Sequence, residues 1–547
     1  MGKFFFMQRF LTALLLIALG FSVQAQQGIQ RPKLVVGIVV DQMRWDYLYR
    51  YYDRYTANGG FKRMLNQGFA CENTLIPYTP SVTACGHSTI YTGAVPAISG
   101  VTGNFWWDRE QMRSVYCTED KSVNTVGSSS VQGKMSPKNM LVTSICDELR
   151  LATNFKSKVI GVAIKDRGGI IPAGHSANAA YWYDNSVGSW ITSTYYMNDL
   201  PKWVNDFNNQ KLVDKYYQQG WDLLYPAATY TQSTADEKLY ETKTLGGNKF
   251  PYDSLKKYIG KDYSKISTTP MGNTLTAEFA KAAVVGEQLG ADNITDFLAV
   301  SFSSPDYIGH SFGPNSMEEE DNFLRLDKEI GNLLDFLDVK VGKGQYTVFL
   351  SADHGVAQIP EFMQENKLPG GRIYMNNVVA NLNKSLAEIY KIDKIIVSDN
   401  NYQLHLNHPS LDSAKVDEGE IIKWLVKRLS TEPAIDRAFA LEDLNQVPLP
   451  ATIRKMANNG YYPRRSGEIQ IILKSGYIDA LAATGTTHGL WNAYDAHIPL
   501  LWYGWGIKQG KSYHEVYMTD IAPTIAALLH IQMPSGCIGS VIQEVIK

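Results

Sequence analysis

The strongest constraint on this chain is a set of short apolar runs that lead into acids. Leu34-Val35-Val36-Gly37-Ile38-Val39-Val40 carries no polar side chain and stops at Asp41. Phe297-Leu298-Ala299-Val300-Ser301-Phe302 points toward Asp306, and Tyr346-Thr347-Val348-Phe349-Leu350 toward Asp353 and His354. Ile498-Pro499-Leu500-Leu501-Trp502-Tyr503 is a fourth run. A strand with one wet face alternates, whereas a strand that is apolar throughout belongs in a parallel sheet covered on both sides. Helical stretches separate the runs. Ser316-Met317-Glu318-Glu319 has the form of a capping box, and Phe323, Leu326, Ile330, Leu333, Leu334 and Leu337 follow on one face. Thr274 to Leu289 is a second amphipathic stretch, and Thr519-Asp520-Ile521 opens a C-terminal helix. The expected fold class is α/β, with a large, mostly parallel central sheet, helices on both faces and inserted cap modules. The caps are expected at about 168–272, rich in Tyr, Trp, Asn and Gly, and at about 360–484, which has strand–helix–strand signals of its own.

With 547 residues, 44% of them hydrophobic and 19% charged, the chain is neither disordered, collagen-like nor a small disulfide scaffold. A net charge of −2 gives no general attraction to nucleic acid or anionic lipid, so any anion must be held locally. Lys3 and Arg9, the apolar run Leu11 to Phe21 and the small-residue site Val23-Gln24-Ala25 read as a secretory signal over 1–25. The mature chain is then 26–547, periplasmic or secreted, with no stable membrane anchor. In an oxidising compartment the five cysteines, Cys71, Cys85, Cys117, Cys146 and Cys537, allow one or two disulfides and leave at least one thiol over.

In an open α/β sheet, ligands bind beyond the carboxyl ends of the strands. Asp41, Asp306, Asp353 and His354 fall at or just after such ends. His310 follows Asp306 by four residues, which puts both on one face of a helical turn. His488 precedes the fourth run. These acids and imidazoles can hold two divalent ions of the zinc type. A lone His or strand-end Asp is usually structural; their joint placement is what argues for a site. Thr83 lies between a Pro-bearing loop and an expected helix, whose N-terminus suits an anion, or else it is simply an N-cap. Its hydroxyl is a nucleophile only once activated, for example by metal coordination. Lys165 and Arg167 stand two apart and, in an extended segment, project the same way toward phosphate oxygens.

Thr83-Ala84-Cys85-Gly86-His87-Ser88-Thr89-Ile90-Tyr91-Thr92-Gly93, Asp306-Tyr307-Ile308-Gly309-His310, Ser351-Ala352-Asp353-His354-Gly355 and Thr487-His488-Gly489 together resemble the alkaline phosphatase superfamily. The likeness runs from about Leu34 to Gly539 and is greatest to the bacterial periplasmic, phosphate-irrepressible alkaline phosphatases that use a threonine nucleophile. It implies two zinc ions, one on Asp306, His310 and His488, the other on Asp41, Asp353 and His354 with Thr83 added. It implies Thr83 as nucleophile, and Asn104, Lys165 and Arg167 as the groups that bind the phosphoryl oxygens of small phosphate monoesters. The Lys/Arg clamp is typically absent from the nucleotide pyrophosphatase/phosphodiesterase branch, and the sulfatase signature is missing. A phosphodiesterase on the same metal scaffold is the alternative. A secreted glycan- or nutrient-binding protein, suggested by 32 Tyr and 11 Trp, gives no reason for the acids and imidazoles at strand ends. Physiological substrate, oligomeric state and disulfide pairing stay open.

Overall fold

The computed structural model describes residues 29–547; the expected signal segment lies outside them. In chain order the strands of the main sheet are β1 (Leu34–Val40), β2 (Phe69–Leu75), β3 (Thr125–Val126), β4 (Val159–Ala163), β5 (Ala179–Asp184), β6 (Ser189–Ser193), β7 (Asp296–Phe302), β8 (Tyr346–Ser351), β9 (His497–Ile498), β10 (Leu500–Gly504) and β11 (Gly510–Tyr517). They form one 11-stranded sheet in the order β9-β2-β10-β8-β1-β7-β4-β5-β6-β3, with β11 paired to β2. The five strands from β8 to β5 run parallel, and the sheet turns antiparallel toward either edge. Every residue of β1, β7, β4 and β8 is buried, as strands covered on both faces must be. Each Val, Leu or Ile placed there contributes roughly 1.5–3 kcal/mol of transfer free energy.

The fourth apolar run departs from expectation. It breaks at Pro499 into β9 and β10, and β10 pairs antiparallel with β8. Proline supplies no N–H to a ladder, and an unbroken apolar run does not encode strand direction. The helices that matter for the site are α1 (Thr83–Thr92), α2 (Asp166–Ala173), α3 (Met271–Gly286), α4 (Ser304–Phe312) and α5 (Met317–Leu337). Within 168–272, β5 and β6 belong to the central sheet and the remainder forms short helical segments. Within 360–484 a separate four-stranded sheet carries its own apolar core, including Leu386, Leu404, Leu425 and Ile471. All five cysteines are free, four of them buried, so none of the disulfides allowed by the sequence is formed.

Candidate active site

Register brings the functional strand ends together. Val40 of β1 lies beside Phe302 of β7, and Val39 beside Ser351 of β8. The chain then leaves the sheet at one edge, and the Asp41 N–H donates to the Phe302 carbonyl at 3.0 Å. Asp306 opens α4 and His310 closes it, so the expected helical turn forms and His310 Nε2 lies 3.2 Å from Asp306 Oδ1. His488 Nε2 comes within 3.6 Å of the same oxygen. Around His354 Nε2 gather Asp353 Oδ2 and Thr83 Oγ1, both at 3.5 Å, and Asp41 Oδ1 at 3.6 Å. Asp306 faces both groups, since its carboxylate also falls within 4.8 Å of Asp41 and His354 ligand atoms.

Thr83 is the first residue of α1, with Val82 as its N-cap, so the capping role open to it in the sequence is not the one it takes. Gly86 makes its position possible. A Cβ there would sit 2.3 Å from the Asp353 carbonyl oxygen, so only glycine lets the first turn of α1 lie against the loop after β8. Asn104 Oδ1 accepts the Ala84 N–H at 3.0 Å, satisfying one free donor of that helix end and leaving the Asn104 amide N–H groups to donate elsewhere.

The imidazoles are aimed by main-chain carbonyls. His310 Nδ1 bonds Thr486 O at 2.8 Å, His488 Nδ1 bonds Ser81 O at 2.8 Å, and His354 Nδ1 bonds Gly355 O at 3.0 Å. A carbonyl accepts only, so each Nδ1 carries a proton and each Nε2 is turned into the site. This is the arrangement of metal-ligating histidine. Asp41 Oδ1 and Asp353 Oδ2 are buried without a hydrogen-bond donor. The donor set, all N and O with two acceptor oxygens unmatched by protein donors, fits two divalent ions of the zinc type.

Lys165 and Arg167 do not lie in an extended segment. Lys165 is the N-cap of α2 and Arg167 is in its first turn, because the chain leaving β4 turns directly into helix. The buried Lys165 ammonium bonds Asp41 Oδ2 at 2.7 Å and Asp306 Oδ2 at 2.5 Å. Arg167 Nη1 donates to the Tyr116 hydroxyl at 3.0 Å, and that hydroxyl donates to Asp166 Oδ1 at 2.7 Å. The electrostatics follow from crowding. Burial and then Asp353 push the Asp41 carboxyl well up despite Lys165. Burial also opposes ionisation of Asp306, but His310 and Lys165 outweigh it and hold that carboxyl well below its usual range. Burial, reinforced by His354 and His310, keeps His488 neutral to well below its ordinary value.

Sequence reasoning left out several contributors. His87 lies with Nδ1 3.4 Å from Asp353 Oδ2 and Nε2 2.9 Å from Ser301 Oγ. Asp495 accepts the Gly489 and Leu490 N–H groups and so fixes the loop that carries His488. Tyr116, which holds Arg167, sits on a short hairpin of Phe105–Asp108 and Arg113–Tyr116. No local motif marks it.

A family model described as type I phosphodiesterase / nucleotide pyrophosphatase matches residues 35–491. Alkaline phosphatase PhoV of Synechococcus elongatus is 53% identical, over 95% of this chain and 94% of its own. A protein of Myroides odoratus named calcium-transporting ATPase is 52% identical, over 96% and 97%. Alkaline phosphatase PafA of Elizabethkingia meningoseptica is 48% identical, over 98% and 99%. The crystal structure of wild-type PafA superposes with a TM-score of 0.93, covering 95% of this chain and 100% of that one. A solved PafA variant is altered at one Thr, one Asn, one Lys and one Arg.

Proposed function

Since the chain belongs to the type I phosphodiesterase / nucleotide pyrophosphatase family, within the alkaline phosphatase superfamily, and is a phosphate hydrolase, we propose that it cleaves small phosphate monoesters through a phosphothreonine at Thr83. Asp306, His310 and His488 would hold one zinc ion, and Asp41, Asp353 and His354 the other. When bound, the pair supplies Lewis acidity that lowers the pKa of the attacking hydroxyl and offsets charge on the leaving oxygen. The observation that carries this reading is the convergence of three imidazole Nε2 atoms, each aimed by a carbonyl behind its ring, on the carboxylates of Asp306, Asp41 and Asp353, with one oxygen each of Asp41 and Asp353 left without a protein donor.

Thr83 Oγ1 attacks phosphorus in line with the departing alcohol oxygen, and water later cleaves the phosphothreonine, releasing inorganic phosphate. The Asn104 amide and the Lys165 and Arg167 cations are the groups available to non-bridging oxygens as charge redistributes. A dianionic monoester gains more from two fixed cations than a monoanionic diester does, which favours the monoester. The residue types altered in the PafA variant are those proposed here at Thr83, Asn104, Lys165 and Arg167. Membership of a family described as type I phosphodiesterase / nucleotide pyrophosphatase favours a second reading, a phosphodiesterase. Rates on an aryl phosphate and its methyl diester separate the two.

The part of 168–272 that follows β6, together with 360–484, is proposed as the cap that selects the leaving group, since β5 and β6 belong to the central sheet, and the leader at 1–25 as the signal for export to the periplasm or medium. No helix among the described residues is long and apolar enough to cross a membrane. The test of the whole reading is metal removal: chelation should abolish hydrolysis and zinc should restore it. Full activity in a chain shown to be free of metal would overturn it.

A further inference from the structure

Between the two acid–imidazole sets sits a residue with an unusual backbone. Gln42 follows Asp41 directly, is wholly buried, and has φ of +67°, a left-handed conformation that side-chain-bearing residues seldom adopt. Such strain persists where surrounding structure holds it, and it clusters at functional sites. Here two hydrogen bonds use it. The Gln42 main-chain N–H donates to Asp353 Oδ1 at 3.1 Å, and its side-chain Nε2 donates to Asp306 Oδ1 at 2.6 Å. The other oxygen of the Asp306 carboxylate already accepts from the Lys165 ammonium, and the amide turns its N–H2 end, not its oxygen, toward Oδ1. Asp306 Oδ1 is the oxygen that faces His310 and His488. The amide oxygen points the other way, buried and without a donor, against Gly309 of α4, where a Cβ would lie 2.0 Å from it. Glycine at 309 thus makes room for the amide inside the Asp306–His310 turn.

We propose that Gln42 is a positioning residue that locks the two ligand sets to each other, its backbone fixing Asp353 in one and its amide fixing Asp306 in the other. The inference rests on the two-ion reading above. It assigns Gln42 the task of setting ligand direction, which a hydrogen bond to a coordinating carboxylate does. A shorter side chain at 42 does not reach Asp306, and a carboxylate there would repel it.

The test uses two variants of the full chain. Gln42→Gly accepts the positive φ and keeps the N–H to Asp353 but removes the amide. Gln42→Met keeps the side-chain length and removes only the donor. Zinc content is measured by elemental analysis after dialysis against a graded chelator, beside the thermal midpoint of the metal-free chain. Loss of the amide should weaken retention of one of the two zinc equivalents by ~10–100-fold in both variants. The metal-free midpoints show how much of any effect is lost fold stability, and zinc retention should fall in Gln42→Met and Gln42→Gly alike even where their midpoints differ. Retention of both equivalents at wild-type affinity in both variants would overturn the role of Gln42 while leaving the two-ion reading intact. A wild-type chain that retains no zinc would overturn both.

Discussion

Thr83 Oγ1 and His354 Nε2 lie 3.5 Å apart, both wholly or almost wholly buried, at the meeting of a helix start and a strand end. A hydroxyl in that position has no solvent to share its charge. On the mechanism proposed above it becomes a nucleophile only through what the site supplies, and that proposal ties the activity of the chain to the identity of one side chain.

Thr83→Ala should therefore abolish formation of a covalent phosphoenzyme. Acid quenching after mixing with a labelled aryl phosphate reads this directly: label on the wild-type protein and none on the variant. Label retained on Thr83→Ala would move the nucleophile elsewhere. Thr83→Ser, which keeps the hydroxyl, should retain trapping.

Arg167→Ala should lower kcat/KM for an aryl monoester by ~10²–10³, the usual effect of removing one preorganised charge-stabilising donor. Its effect on the methyl diester should stay within about tenfold, since the diester brings one negative charge fewer. Equal losses on both substrates would remove Arg167 from the monoester clamp.

Tyr116→Phe tests the group behind Arg167. The hydroxyl accepts from Arg167 Nη1 and donates to Asp166. A hydrogen bond to a charged group is worth about 1.5–3 kcal/mol. Part of that should appear as a fall of about tenfold in monoester kcat/KM with zinc content unchanged. An unchanged kcat/KM would mean that Arg167 is held by its burial alone.

Asp147 gives a prediction in acid. It receives the Ser144 N–H at 2.9 Å and the Ser176 N–H at 2.7 Å, and it lies beside His175. Burial opposes its ionisation, but His175 and these donors lower its pKa from 3.8 to about 2. A folded value below the unfolded one stabilises the fold above the unfolded value and loses that contribution as pH falls toward 2. The contribution is roughly 2 kcal/mol, from a shift of somewhat under two units. Asp147→Asn should thus melt well below wild type at pH 6, with the gap narrowing below about pH 4 and closing toward pH 2. A gap independent of pH would refute the linkage.

The parts of this molecule legible in the sequence were those written in patterns. Apolar runs ending on acids marked β1, β7 and β8, and the spacing of Asp306 and His310 marked a helical turn. What the sequence concealed depended on backbone conformation or on partners far along the chain. Ser316 does cap α5, accepting the Glu319 N–H at 3.1 Å, but Glu319 turns inward with neither carboxylate oxygen bonded, so the capping box is half made. Gln42 looks ordinary until its φ and burial are known. Tyr116 reaches Arg167 across 51 residues, and nothing local to either announces the pair.

The carbonyls behind His310, His488 and His354 come from Thr486, Ser81 and Gly355. Each lends a peptide oxygen, a feature common to every amino acid. The side chains of Thr486 and Ser81 act behind it, their buried hydroxyls donating to the Ala357 and Leu490 carbonyls at 2.9 Å each. The inward pointing of the imidazoles is thus written in the path of the main chain, and a substitution at Thr486 or Ser81 reaches the centre only by way of the loops those hydroxyls tie down.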